Sequence, residues 1–484
     1  MQKYGKFYGI YNGLSPALVV LEPELIKQIM VKDFPHFINR FKFPVFNEFW
    51  NQNLLFSTDD QWKRLRTVTT PAFTSGKLKA MHLIMNQCVH KLVKYFNSVA
   101  DKKDGIINTK EVITGFSIDI IATTAFATET DANNDRTKEN PLIINGRKLF
   151  NIFPIRRALI ILLPKKVLQL FGIKDFLDPK PFEYFTNLIK HILSERKNRP
   201  ALNNDLVQLL LDAKANEEEL DNFNTNFAKL TAINDGNFYN YFLKQFSFIL
   251  FLETPSASSN DKVGSSSKKK LILSESEIIA SCIFIFAAGF ETVSTTLSHL
   301  LFELANNLDV QEKLFKELDE MMFNLPEDSS EYFEAVMNKA VYLDAVVKES
   351  LRMHSPVTRL NRIANTNGYN LNGIRLFNNQ WIIIPIAAIH YCPDFYENPY
   401  TFNPDRFLPE NRHKLVPYTY LPFGAGSRNC VGIRFAYQEV KLCLASIVRQ
   451  FSFNVTPDTP KKLVYKKGSA FLEANEFPIQ LSKR

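Results

Sequence analysis

The residues best equipped for chemistry sit in one stretch, LPFGAGSRNCVG at positions 421–432. Cys430 runs into a segment, 433–451, whose apolar residues Phe435, Val440, Leu442, Leu444 and Ile447 have helical spacing. A thiol at a helix N-terminus meets free N–H groups and the positive end of the helix dipole, so a lowered pKa is expected. Gly424, Gly426 and Gly432 carry no Cβ, which lets the backbone fold tightly and approach something bulky. Phe423 offers an apolar face and Arg428 a fixed cation. A shielded thiolate suits the axial position of an iron porphyrin, where it favours O–O cleavage. The alternative is a structural cysteine in a Gly-rich turn; the order F-x-x-G-x-R-x-C-x-G weighs against it.

A second group lies in a long helical pattern from Ser274 to about Asn306. Ser274 and Glu277 have the spacing of a capping box. The segment is apolar on most faces, so it is expected to cross the interior. Ala288, Gly289 and Thr292 fall on one face by helical spacing. The small residues open a groove and the Thr292 hydroxyl faces it, free to bond back to the Ala288 carbonyl. Glu291 adds an acid at the same level, making a place for a small ligand and a proton source. The alternative is close helix packing through the small residues, with Glu291 on the polar side.

Other candidates are cationic. Trp62 and Arg66 share a helix face and pair an indole N–H with a guanidinium, which suits a carboxylate. A surface Trp–Arg stack explains them equally well. Arg40 reads as a surface cation. Glu349 and Arg352 form an i, i+3 pair, worth a few tenths of a kcal/mol if exposed. FNPDRF at 402–407 places Arg406 in an aromatic, Pro-rich loop, and Arg362 follows a turn after Pro356.

The elements that position these groups are mostly helical. Helices are expected at 22–30, 59–73, 78–96, 113–126, 181–199, 205–212, 309–322, 332–337 and 342–354. Strands are expected at 7–11, 17–21 and 381–389, and a β-hairpin region at 452–484 with Gly468 and Phe471 near its tip. Residues 41–56 read as an aromatic loop over an apolar space, and 127–140 as a solvent loop. Residues 141–171 read as broken apolar segments fit for the core or a membrane surface. Residues 238–251 fit an extra helix, and 254–270 a flexible, solvated insertion.

Composition narrows the class. Hydrophobic residues are 45% and charged residues 22% of 484, ordinary for a globular chain, and 42 phenylalanines suit an apolar interior and pocket. The net charge of +8 comes without a basic, aromatic-interleaved run or a nucleic-acid motif, so nucleic-acid binding is not expected. A basic face for an acidic protein partner or an anionic membrane fits better. Five dispersed cysteines give no disulfide framework or zinc spacing. No run of about 18 apolar residues encodes a transmembrane helix. The N-terminus does not read as a signal peptide, and the chain reads as beginning inside a folded domain.

Four motifs together resemble the cytochrome P450 family: the cysteine loop, A-G-F-E-T at 288–292, E-S-L-R at 349–352 and F-N-P-D-R-F at 402–407. The stretches 62–79 and 349–362 look most like its microsomal branch of vertebrate drug-oxidising and arthropod detoxifying enzymes. The resemblance spans nearly the whole chain and implies one mainly α domain, 1–484, with a small β region, holding haem b between a long central helix and the cysteine loop. It implies Cys430 as the iron ligand, shielded by Phe423 within the glycine loop. It further implies Trp62, Arg66, Arg362, Arg428 and Arg40 for the haem propionates. Glu349, Arg352 and Arg406 become a structural triad, and Thr292 with Glu291 relays protons during oxygen activation. Substrate contacts are expected at Phe284, Ala288, Val357, Leu360, Ala470 and Phe471, by location. The implied activity is monooxygenation of a lipophilic small molecule, using O2 and electrons from NADPH through a flavoprotein reductase at a membrane surface, the cytoplasmic face of the endoplasmic reticulum. The rival readings are a haem-thiolate peroxide isomerase and an inactive haem-binding paralogue. The family's microsomal members carry an N-terminal anchor and Pro-rich hinge that this sequence does not show.

Overall fold

The computed structural model describes residues 5–12, 15–41, 48–130, 132–133, 140–149, 159–160, 162–163, 165–171, 173, 178–198, 205–212, 214–215, 271–467, 469 and 471–484. The expectations at 238–251, at 254–270, at Gly468 and at Ala470 lie outside the described residues. The rest is mainly helical with a small β region.

The organising element is the helix Glu275–Asn306, 32 residues and about 48 Å long. Both halves of its capping box form: the Ser274 side chain accepts from the Glu277 N–H, and the Glu277 carboxylate accepts from the Ser274 N–H. This central helix is long and apolar enough to span a bilayer, yet 72% of its most apolar window is buried inside the protein. It packs along Thr109–Phe126, a helix buried on nearly every face. Gly289 sits at that crossing, where a Cβ would lie 2.9 Å from Ile121 Cδ1. The absent side chain therefore serves helix contact, the alternative weighed for it above.

A four-stranded sheet forms beside this helical core in the order Phe7–Asn12, Ser15–Val20, Trp381–Ile384, Leu360–Ile363. The two N-terminal strands pair antiparallel, Ser15–Val20 runs parallel to Trp381–Ile384, and Leu360–Ile363 closes the edge antiparallel. A three-stranded sheet joins Phe451–Asn454, Pro478–Lys483 and Ile106–Asn108. The strand expected over 381–389 stops at Ile384. Pro385 has no N–H for a ladder and becomes the N-cap of a short helix, Ile386–His390.

The expected solvent loop at 127–140 also differs. Thr130 and Ala132 are buried, and both the Thr130 hydroxyl and the Ala132 N–H donate to the buried Asp119 carboxylate. This start of the loop is a cap on a buried acid.

Candidate haem-thiolate site

The cysteine loop is held by its own backbone. The Cys430 N–H donates to the Phe423 carbonyl at 2.9 Å, and the Asn429 N–H to the Gly426 carbonyl at 3.0 Å. Gly424 and Gly426 have φ of +73° and +67°, a region closed to most L-residues. Gly426 is the stricter of the two, because a Cβ would fall 1.8 Å from the Met30 carbonyl oxygen. Gly426→Ala is therefore expected to displace the loop and to leave most of the purified protein without haem, checked by haem-to-protein ratio. Gly432 differs from expectation. Its φ of −91° suits any residue, and a Cβ would come no closer than 3.9 Å to Phe73. Nothing in the protein backbone requires glycine there.

Cys430 lies three residues ahead of the helix Ile433–Gln450. It is the exposed member among the five cysteines, and its exposed surface opens into an internal cavity of about 670 Å³. Burial pushes the thiol pKa up, opposed by the Gly432 N–H and by Arg66 and Arg40. The helix-terminus argument for a lowered pKa is thus outweighed by desolvation in the protein alone. The Phe423 ring packs 5.4 Å from that of Tyr437.

The same cavity is lined by Trp62, Arg66, Arg40 and Arg428, and across from Cys430 by Ala288, Gly289 and Thr292 of the central helix. Arg362, expected with them, is not among the lining residues; it is 1% exposed and close enough to Arg40 to feel its charge. Arg40 is no surface cation: burial lowers its pKa to about 10, and its guanidinium donates to the Arg428 carbonyl at 2.9 Å. Arg428 stacks 4.3 Å over the Trp62 ring and donates to the carbonyls of Leu55 and Ser57. Arg66 bonds Asn429 through its backbone and side-chain oxygens.

Burial, then mutual repulsion with Arg40, holds Arg362 well below the usual arginine range; Arg428 is lowered by burial and by Arg40, Arg362 and Arg66. The Nε and Nη2 of Arg362 and the Nε atoms of Arg40 and Arg428 are buried without a hydrogen-bond partner. Crowded guanidiniums with orphaned donors fit anionic groups, which relieve both repulsion and unpaired donors. The two propionates of a haem meet this demand, so the residues present fit the group.

Thr292 and Glu291 part company. Thr292 lines the cavity, and its hydroxyl donates to the Ala288 carbonyl at 2.6 Å. Glu291 does not line the cavity. The Lys110 ammonium donates to its carboxylate at 2.9 Å, with side chains 7% and 13% exposed. Burial raises the Glu291 pKa, and Lys110 opposes that rise. The sequence reading missed Lys110. The available signal was a lysine at the start of a mostly apolar helix. Phe284, Ala288, Val357, Leu360 and Phe471 all line the cavity, joined by Ile121, Thr124 and Thr296, which spacing did not single out.

Glu349 and Arg352 are both 0% exposed, a buried pair that costs more to break than the same spacing on a surface. Arg352 donates to both Glu349 oxygens at 2.8 Å, and Arg406 and the Asn403 N–H add contacts at 3.2 and 3.0 Å. His390 ties this cluster to the loop. Its Nδ1–H donates to the Arg352 carbonyl at 2.8 Å, and its Nε2 accepts from the Leu421 N–H at 2.9 Å. Burial lowers its pKa from 6.5 to about 3, so the folded protein keeps it neutral. A depressed histidine contributes stability above its unfolded pKa and loses it as pH falls toward the folded value. Between pH 6.5 and 3 this costs at most about 1.4 kcal/mol per pH unit. The melting temperature should fall across that window, with a shallower slope in His390→Gln.

A cavity lined by one cysteine, a threonine of the central helix and several guanidiniums fits a haem-thiolate oxidoreductase. The cytochrome P450 family model matches residues 1–234 and 255–480, so the chain belongs to the cytochrome P450 family, haem-containing monooxygenases. It is 34% identical over 474 residues to mouse (Mus musculus) cytochrome P450 3A11, covering 96% of this chain and 82% of that protein. It is 32% identical over 493 residues to lithocholate 6-beta-hydroxylase of Mesocricetus auratus, covering 100% and 86%. It is 31% identical over 486 residues to cytochrome P450 3A27 of Oncorhynchus mykiss, covering 100% and 84%.

Proposed function

We propose that the protein inserts one oxygen atom of O2 into a lipophilic small molecule, with electrons from NADPH delivered by a flavoprotein reductase. The observation that carries this is one cavity lined by both Cys430 and Thr292, together with Arg40, Arg66 and Arg428. Bound haem would supply the oxygen-activating redox chemistry. Cys430 would hold the iron, and Arg40, Arg66, Arg362 and Arg428 with Trp62 would hold the propionates. Phe423 shields the sulfur from water. Phe284, Ala288, Val357, Leu360 and Phe471 give the substrate an apolar wall, and exclusion of water strengthens every polar contact inside.

Thr292 holds its proton at Oγ1, 2.6 Å from the Ala288 carbonyl, and can turn it toward the cavity. Glu291 acts from behind the helix and not as a cavity acid. Thr292→Ala should cut coupled turnover by about two orders of magnitude and raise peroxide release per NADPH, as loss of a positioned proton donor does. The hydroxyl also favours this reading over peroxide isomerisation, which needs no proton delivery to oxygen. Reconstitution with the reductase and a panel of lipophilic compounds, including bile acids in view of one relative's name, tests it. Turnover of a fatty peroxide without NADPH would support the isomerase. A basic outer face, including Lys63, Lys77 and Lys79, suits the reductase, and the expected setting is the cytoplasmic face of the endoplasmic reticulum membrane.

A further inference from the structure

Glu291 is one end of a longer polar row. Glu291, Thr295, His299 and Glu303 follow at four-residue intervals on the central helix and so share a face. At one end Lys110 donates to Glu291, to Ser294 Oγ at 3.0 Å and to Thr295 Oγ1 at 3.2 Å. At the other, His354 is clamped between Glu303 Oε1 at 2.6 Å and the Tyr465 hydroxyl at 2.9 Å. Asn307 Nδ2 donates to Glu303 Oε2 at 3.2 Å. Tyr465 and Asn307 are only partly buried, so this end is the one nearer solvent.

His299 stands between the two ends. It is 0% exposed, and neither ring nitrogen has a hydrogen-bond partner. Its ring lies 4.9 Å from that of His354 and 5.8 Å from that of Tyr465. The titratable groups that face it are His354 and Tyr465, with Glu303 on its own helix and Lys110 from the neighbouring one. Burial, then His354 and Lys110, keep it neutral, against a smaller pull from the nearby His354 backbone, which falls outside good hydrogen-bond geometry. A neutral imidazole has one donor and one acceptor nitrogen, so it can take a proton at one and release one from the other. Two orphaned nitrogens at full burial are costly unless water meets them.

We propose that this row is a proton path running from the Tyr465–Glu303 end, through His299 and buried water, to the Lys110–Glu291 pair behind Thr292. Each transfer moves one proton and no electron: a proton binds one nitrogen of His299, the other nitrogen releases its own, and the ring is left as the opposite tautomer. The path rests on the monooxygenase reading, which requires protons at the Thr292 level.

The test uses the full-length haem-loaded protein with reductase. His299→Phe is expected to lower product formed per NADPH by about tenfold, less than the 10²–10⁴ of direct proton transfer because this group acts at a distance. It should also raise peroxide release and enlarge the solvent deuterium isotope effect, and His299→Gln, which keeps a donor and an acceptor, should restore most of the loss. Tyr465→Phe probes the outer end should His299→Phe fail to fold, and should enlarge the same isotope effect. Independently, deuterium exchange at imidazole C2, read by mass spectrometry, should be faster at His299 than at the equally buried His390, whose nitrogens are both engaged. Unchanged coupling and isotope effect in a folded His299→Phe or Tyr465→Phe protein would overturn the path, as would exchange at His299 no faster than at His390. A wild-type protein that never turns over with reductase would instead overturn the proposed function, and the exchange comparison would still decide the path.

Discussion

Cys430→Ala is expected to abolish oxygenation completely while leaving a folded chain. Cys430 is the cysteine on the cavity wall; Cys88, Cys282, Cys392 and Cys443 are buried elsewhere. Burial pushes the thiols of Cys88 and Cys282 up to about 12, so neither becomes a thiolate ligand by default. The Cys430 thiol is also raised by burial, but Arg66, Arg40 and the Gly432 N–H pull against that rise. Those three groups favour the anion, and a bound iron completes the stabilisation, since a coordinating thiol is deprotonated outright. The variant should lose the carbon monoxide difference band of the reduced protein. Its helical circular dichroism should stay unchanged, because the backbone bonds that shape the loop do not involve the sulfur.

Arg352→Ala should have the second large effect, and it should act on folding. The substitution strands Glu349 at 0% exposure with only Arg406 and the Asn403 N–H beside it. It also strips the His390 carbonyl of its donor, 2.7 Å from Arg352 Nη1. Breaking a buried pair from one side costs about 3–5 kcal/mol, a large part of the 5–15 kcal/mol that holds a typical domain. Thermal unfolding should show a melt lowered by many degrees or no cooperative melt, with haem content reduced in parallel. Arg352→Lys should rescue little, because one ammonium cannot make both carboxylate contacts and reach the His390 carbonyl. Retention of a wild-type melt would show that the pair is dispensable.

Much of the fold was legible because its signals are local. Ser274 and Glu277 announce the central helix through a cap, and the apolar period carries it to Asn306. The positive φ of Gly424 and Gly426 matches the tight turn expected of the glycine loop, which Gly432 at −91° does not share. The site was less legible wherever meaning depends on burial or on a partner distant in sequence. The spacing of Glu349 and Arg352 left their exposure open, and the resemblance alone implied a structural triad. Glu291 read as a cavity acid because its partner, Lys110, lies 181 residues away. Arg40 read as a surface cation for the same reason. The Cys430 thiol is raised and not lowered because burial, set by residues far apart in sequence, outweighs the helix N-terminus. At 381–389, Pro385 was visible, but its consequence, a helix start, depended on the turn that follows.

The central claim is tested most directly by following isotopically labelled dioxygen in the reconstituted enzyme, with NADPH, reductase and a lipophilic substrate that perturbs the haem spectrum on binding. One labelled atom should appear in the product and the other in water, in proportion to NADPH consumed. Product that carries unlabelled oxygen, or that forms equally well without NADPH and reductase, would contradict the account.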